Sequence, residues 1–173
     1  MMAVAVITTM LVALSPVGSV SPAPAWGGGG PDSFGYRYLD SDTVCPGAPT
    51  YNWIEIKGIG TEITSMMGDD NIVGPFALGF DFPYYWYKVN QIYIGSNGYI
   101  SFHDNKMNAS PFQRIPSPAR SNNTLAAMLS DLIFEPTNNA SLWYWRSADN
   151  DSFIVKCDSV PFWSTGGNNR FQI

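Results

Sequence analysis

Residues 91–102 read Gln-Ile-Tyr-Ile-Gly-Ser-Asn-Gly-Tyr-Ile-Ser-Phe, and this run constrains the fold more than any other. Before the Ser96-Asn97-Gly98 turn the apolar side chains fall at Ile92 and Ile94. After it they fall at Ile100 and Phe102. Strand side chains alternate between faces, so each half has one core face. A two-residue Asn97-Gly98 turn of type I′ would set Ile94 opposite Ser101 and Ile92 opposite His103, mixing the faces. A three-residue loop with Gly98 left-handed sets Ile94 opposite Ile100 and Ile92 opposite Phe102. Register follows the buried face, and glycine tolerates the left-handed conformation. The expected element is therefore a hairpin with a three-residue loop and a glycine bulge.

Upstream, Phe76, Phe80, Phe82, Tyr84, Tyr85, Trp86 and Tyr87 crowd into a dozen positions. Pro83 is expected to break the strand. Four consecutive aromatics cannot all face one core in an alternating strand. Tyr84, Tyr85, Trp86 and Tyr87, with His103 or the following loop, are thus the candidate ligand-binding residues. Outward rings stack on sugars or anchor a partner protein. The same block also serves to wrap and shield a sheet edge.

The stretch from Phe76 to Phe102 resembles a signature of secreted surface proteins, F-x-F-P-F-Y-G followed by S-S-N-G-Y-L-S-F. More distantly it is similar to nidogen-type and plexin-domain-containing extracellular modules. Leu125–Pro136, Ser152–Trp163 and Asn168–Ile173 follow the same pattern, so the resemblance runs over residues 34–173. It implies a non-catalytic extracellular module and brings no catalytic residues with it. Two positions depart from the pattern: Trp86 stands where glycine is usual, and Cys157 where tryptophan is usual. The resemblance implies a smaller, core-facing side chain at Cys157. It also favours a strand over a helix for Leu125–Phe134. In an oxidising compartment Cys45 and Cys157, the only cysteines, are expected to pair. A buried free thiol at Cys157 is the other reading.

Composition narrows the function classes. Aromatics are 14% and charged residues 13%, with 16 glycines and 13 prolines, which is a loop-rich β composition. The formal net charge is −5 and the nine basic residues are scattered, so neither nucleic acid nor an anionic membrane surface is an expected partner. With one histidine there is no readable nucleophile–base constellation or zinc site. No phosphate loop or dinucleotide fingerprint occurs, and no cofactor is expected. Asp40 with Asp42, and Asp69 with Asp70, are weak calcium candidates, because the EF-hand spacing is absent. Turn capping explains such aspartates equally well. Four sequons begin at Asn108, Asn122, Asn139 and Asn150, all in expected loops.

From the N-terminus, residues 3–14 form a short apolar run, and Ala23-Pro24-Ala25 places small residues before Trp26. Residues 1–25 are expected to be a secretory signal peptide, with no membrane span in the mature domain. Residues 26–33 read as a Gly-rich linker, and residues 34–173 as one β module whose last strand is cut short. Tyr51–Ile56 reads as a strand and Lys57–Gly60 as a turn. Ile72–Leu78 is expected to be interrupted at Gly74-Pro75. Leu142–Trp145 and Phe153–Cys157 read as a second hairpin, with Trp145 opposite Val155 and Trp143 opposite Cys157. Val160–Phe162 is expected to leave that strand.

The fold expectation is all-β: an antiparallel, sandwich-like domain with long loops. Its core is expected to contain Trp53, Ile54, Phe80, Ile92, Ile94, Ile100, Phe102, Leu132, Trp145, Phe153, Val155 and Phe162. The functional expectation is a non-catalytic, secreted or cell-surface structural or interaction module in a larger protein, with an extracellular protein or glycan as partner. The alternatives are a carbohydrate-binding module and an accessory domain of a secreted hydrolase or peptidase.

Overall fold

The computed structural model describes residues 27–42, 46–66, 68–103, 107 and 122–173. The chain is all-β, with antiparallel pairing throughout, and divides into two units at Ile54/Glu55. In the first unit β1 (Gly28–Gly29) pairs with β2 (Tyr38–Leu39). Asp32 Oδ1 holds the intervening loop, accepting from the amides of Phe34, Gly35 and Tyr36 at 2.9 Å each.

The second unit contains two four-stranded sheets. One has the order β5 (Ile72–Tyr84), β6 (Tyr87–Gly95), β7 (Tyr99–Ser101), β8 (Thr124–Ala126). The other has the order β12 (Gly166–Gln172), β11 (Phe153–Phe162), β10 (Ser141–Arg146), β3 (Thr61–Glu62). A short pair, β4 (Gly68–Asp69) with β9 (Ile133–Phe134), completes the unit. The inner faces of the two large sheets share one core. Leu78, Ile92, Ile94 and Ile100 come from the first, and Leu142, Val155, Cys157, Val160 and Phe171 from the second. Phe76 meets Tyr144 across the gap with ring centroids 5.0 Å apart. This is the sandwich arrangement that alternating strands predict.

The central hairpin has the expected register. Ile94 pairs with Ile100 and Gly95 with Tyr99, and Gly98 closes the three-residue loop at φ 76°. Other expectations fail for identifiable reasons. Tyr51–Ile56 forms no strand. Ile54 is exposed and Ile56 alone enters the core, while the carboxylate of Glu55 is held by Lys156 and Arg170. The strand from Ile72 is not interrupted at Gly74-Pro75 but absorbs the pair in a register shift and runs on to Tyr84. Bulges let a strand continue past residues that do not fit the ladder.

Leu125–Phe134 is not one strand either. It splits into β8 and β9 because the backbone between them folds onto the central loop. Met128 N–H donates to the Gly98 carbonyl (3.2 Å) and Ser130 N–H to that of Asn97 (3.3 Å). The second hairpin forms, but one residue out of the expected register. Trp143 lies opposite Lys156 and Trp145 opposite Ile154. Ser147 sets this register: its hydroxyl accepts from the Asp151 and Ser152 amides, closing an even-numbered loop. Leu142 and Tyr144 therefore face the core, and Trp145 does not join it. Val160–Phe162 stays in β11, carried by two register shifts and a left-handed Ser159 at φ 58°.

On the outer face of the second sheet, Lys156 is 1% exposed and pairs with Glu55 (2.6 Å) and Asp158 (3.1 Å). Arg170 pairs with the same two carboxylates at 2.6 and 3.5 Å. Two cations against two anions give a locally neutral group, the condition under which a buried ammonium is tolerated.

Candidate functional site

The four consecutive aromatics form the tip of the β5–β6 hairpin. Pro83 does not break the strand: it pairs with Lys88, and Tyr84 pairs with Tyr87. β5 is an edge strand, where a missing amide is tolerated. The chain reverses at Tyr85-Trp86, with Tyr85 left-handed at φ 50°. A bulky residue in that region is uncommon and is held there by its surroundings. Here the surroundings are rings. Tyr84 is the hub, 4.6 Å from Phe102, 4.9 Å from Tyr85 and 5.8 Å from Tyr87, each contact edge-on. Its hydroxyl donates to the Asn122 carbonyl at 3.3 Å.

The run therefore divides by role. Tyr84 and Tyr85 are half-buried, Tyr87 is 38% exposed and Trp86 is 84% exposed. Partial burial raises the Tyr87 phenol above its ordinary range. The Trp86 ring lies 5.7 Å from that of Tyr85 at an interplanar angle of 33°. The tip is thus an anchored base carrying one projecting indole. His103 is exposed and follows Phe102 directly, with its amide donating to Ser101 Oγ at 3.3 Å.

Asp40 Oδ1 accepts from the Asp42 amide at 3.1 Å, an Asx-type turn. Asp70 accepts from Asn97, and Asp69 lies in β4. Among the described residues no group of three or more His, Cys, Asp or Glu is placed to hold a metal ion. Cys157 is a free thiol, 2% exposed. Burial, with the negative charge of Asp158, pushes its pKa far up, so it is an inert core thiol. Cys45 and the sequon at Asn108 lie outside the described residues.

Sequence reasoning missed Asn97, the most consequential polar side chain. It is fully buried. Its Nδ2 donates to Asp70 Oδ1 (2.7 Å) and to the Met107 carbonyl (3.2 Å), while its Oδ1 accepts from the Leu132 amide (3.0 Å). Beside it Ser96, also fully buried, is bonded to Asn71 through its amide and its hydroxyl. The loop is an internal clamp that ties three distant segments to the hairpin.

Asp131 lies near this clamp. Its carboxyl pKa is raised, first by desolvation and then by the charges of Asp69 and Asp70. A carboxyl whose folded pKa exceeds its unfolded value contributes stability below the unfolded value and loses it as pH rises through the folded one. Asp131→Asn should therefore raise the thermal midpoint at pH 7, and the gain should shrink toward pH 3. Scanning calorimetry at both values checks this, and an equal gain at both would contradict it.

Two packed antiparallel sheets with an aromatic hairpin tip define a β-sandwich module. The NIDO-related family model matches residues 46–173, well over half of the chain. The chain belongs to the NIDO-related family, which places it among nidogen-related extracellular modules. No curated protein and no solved structure matches it. Among the described residues no helix is long and apolar enough to cross a membrane.

Proposed function

We propose that this chain is a non-catalytic interaction module of the extracellular type that engages a partner protein through the β5–β6 tip. The observation that carries the reading is Trp86, 84% exposed at the end of a hairpin whose base is packed by Tyr84 and Phe102. An indole so exposed gains apolar burial when a partner covers it. Tryptophan is the residue most enriched at the energetic centres of protein interfaces. The 33° tilt between Tyr85 and Trp86 favours a projecting knob over a flat two-ring platform for a sugar. His103, exposed after Phe102, is assigned to the rim of this surface.

The test compares wild type with Trp86→Ser on an array of extracellular proteins and on a glycan array. Trp86 lies outside the core, so the variant should keep the wild-type circular dichroism and melting point. Its affinity for the captured protein should fall about 30-fold or more, as for an interface hot spot. Equal binding by the folded variant would remove the tip from the site. Binding confined to glycans would replace the protein partner with a sugar.

A further inference from the structure

We infer that Asn139 is an acceptor for an N-linked glycan, a modification site in the turn between β9 and β10. The inference rests on the extracellular reading above. Asn138 and Asn139 are adjacent and chemically identical, yet the structure uses them differently. The Asn138 carboxamide is fully engaged: its Oδ1 accepts from the Ala140 amide (3.0 Å) and the Glu135 amide (3.4 Å), and its Nδ2 donates to the Ile133 carbonyl (3.3 Å). Asn139 is exposed and left-handed at φ 57°. Its carboxamide makes no hydrogen bond among the described residues. Within Asn-Ala-Ser, Ala140 is buried and anchors the turn, while Ser141 opens β10. The acceptor nitrogen therefore stands on a fixed turn and faces water, so a bulky polar substituent there displaces nothing.

The other described sequons differ. Asn150 is also left-handed, but its Oδ1 lies only 2.7 Å from where a Cβ on Gly79 would stand, so its carboxamide rests against β5. The sequon at Asn122 ends in Thr124, which is 6% exposed and paired with Ser101 inside the first sheet. Asn122 itself carries the carbonyl that receives the Tyr84 hydroxyl. A glycan at Asn150 would press on β5.

The reaction is a group transfer by the oligosaccharyl transferase of the secretory pathway. Asn139 Nδ2 forms a bond to the anomeric carbon of a lipid-pyrophosphate-linked oligosaccharide. The bond from that carbon to the pyrophosphate oxygen breaks, the lipid pyrophosphate leaves with the electron pair, and one Nδ2 proton is lost to the enzyme's base.

The full chain should be secreted from a eukaryotic cell line behind an added leader and recovered from the medium. Recovery from the medium separates failure of this site from failure of the compartment. Peptide-N-glycosidase digestion in isotopically labelled water should convert Asn139 to labelled aspartate, read by mass spectrometry on the peptide that contains it. Asn139→Gly, which keeps the left-handed turn, should lack that glycan and melt where the deglycosylated wild type melts. Ser141→Ala should also lack it while Asn139 remains in place. An unmodified Asn139 peptide in secreted, folded protein would overturn the assignment.

Discussion

Gly98→Val should unfold most of the second unit at physiological temperature. Two independent costs meet at this position. Gly98 is left-handed at φ 76°, and a Cβ there would sit 2.2 Å from the Met128 carbonyl oxygen. Backbone strain for a β-branched residue in that region costs about 1–3 kcal/mol. Overpacking against a fixed carbonyl adds about 1–3 kcal/mol more. The carbonyl cannot retreat freely, because the same segment donates its Met128 amide to the Gly98 carbonyl. At roughly 4 °C per kcal/mol, the thermal midpoint should fall by roughly 10–20 °C. Gly98→Asn separates the two costs. Asparagine tolerates the left-handed conformation but carries the same Cβ, so it should recover only a small part of the loss. Full recovery would mean that conformation, and not the close approach of Met128, makes glycine necessary.

Asn97→Ala should cost a similar amount by a different route. It leaves the buried Leu132 amide without its acceptor and takes one donor away from the half-buried Asp70 carboxylate. Each buried polar group left unsatisfied costs about 1–3 kcal/mol, and more for a charged one. A loss of about 3–5 kcal/mol is expected in urea or thermal unfolding. Asn97→Asp gives a signature that simple loss of packing does not. It places a second carboxylate where a donor 2.7 Å from Asp70 Oδ1 had been. Two carboxylates so close cannot both ionise, so the pair holds a proton in the folded state above the ordinary range. Its contribution is retained below the unfolded value, about 3.9, and is lost as pH rises through the folded one. Asn97→Asp should therefore be closest to wild type below about pH 4 and farthest from it at pH 7. A pH-independent difference would mean that Asn97 acts by shape alone.

The hairpin register was legible because only a three-residue loop sets Ile94 opposite Ile100, but the burial of Tyr99 and Ser101 on the other face of β7 was not. The second hairpin slipped by one because both of its faces carry aromatics. Trp143 and Trp145 look as suited to a core as Leu142 and Tyr144, and apolarity cannot choose between them. The choice was made by Ser147 closing its turn and by Phe76 and Phe153 packing against Tyr144. The aromatic tip was legible as an excess of rings over available core positions. Which ring projects was not, since that depends on Tyr85 taking a left-handed turn. Asn97 was misread for a more general reason. Asn-Gly is the same dipeptide in a solvated turn and in a buried one. Residues 70, 107 and 132 decide between them, and nothing near Asn97 in the sequence points to those positions.

The Glu55 carboxylate has a consequence in time as well as in space. It bridges partners 101 and 115 residues downstream, and β3 likewise waits for β10. The β5–β6–β7 meander, by contrast, closes through neighbouring turns. Contacts between near neighbours form sooner than those that must close long loops. On a growing chain the meander is complete while the second sheet is still unmade, so Ile92, Ile94 and Ile100 wait with one face uncovered. For that interval those side chains are open to another copy of the chain, and slower delivery of residues 141–172 should lengthen it.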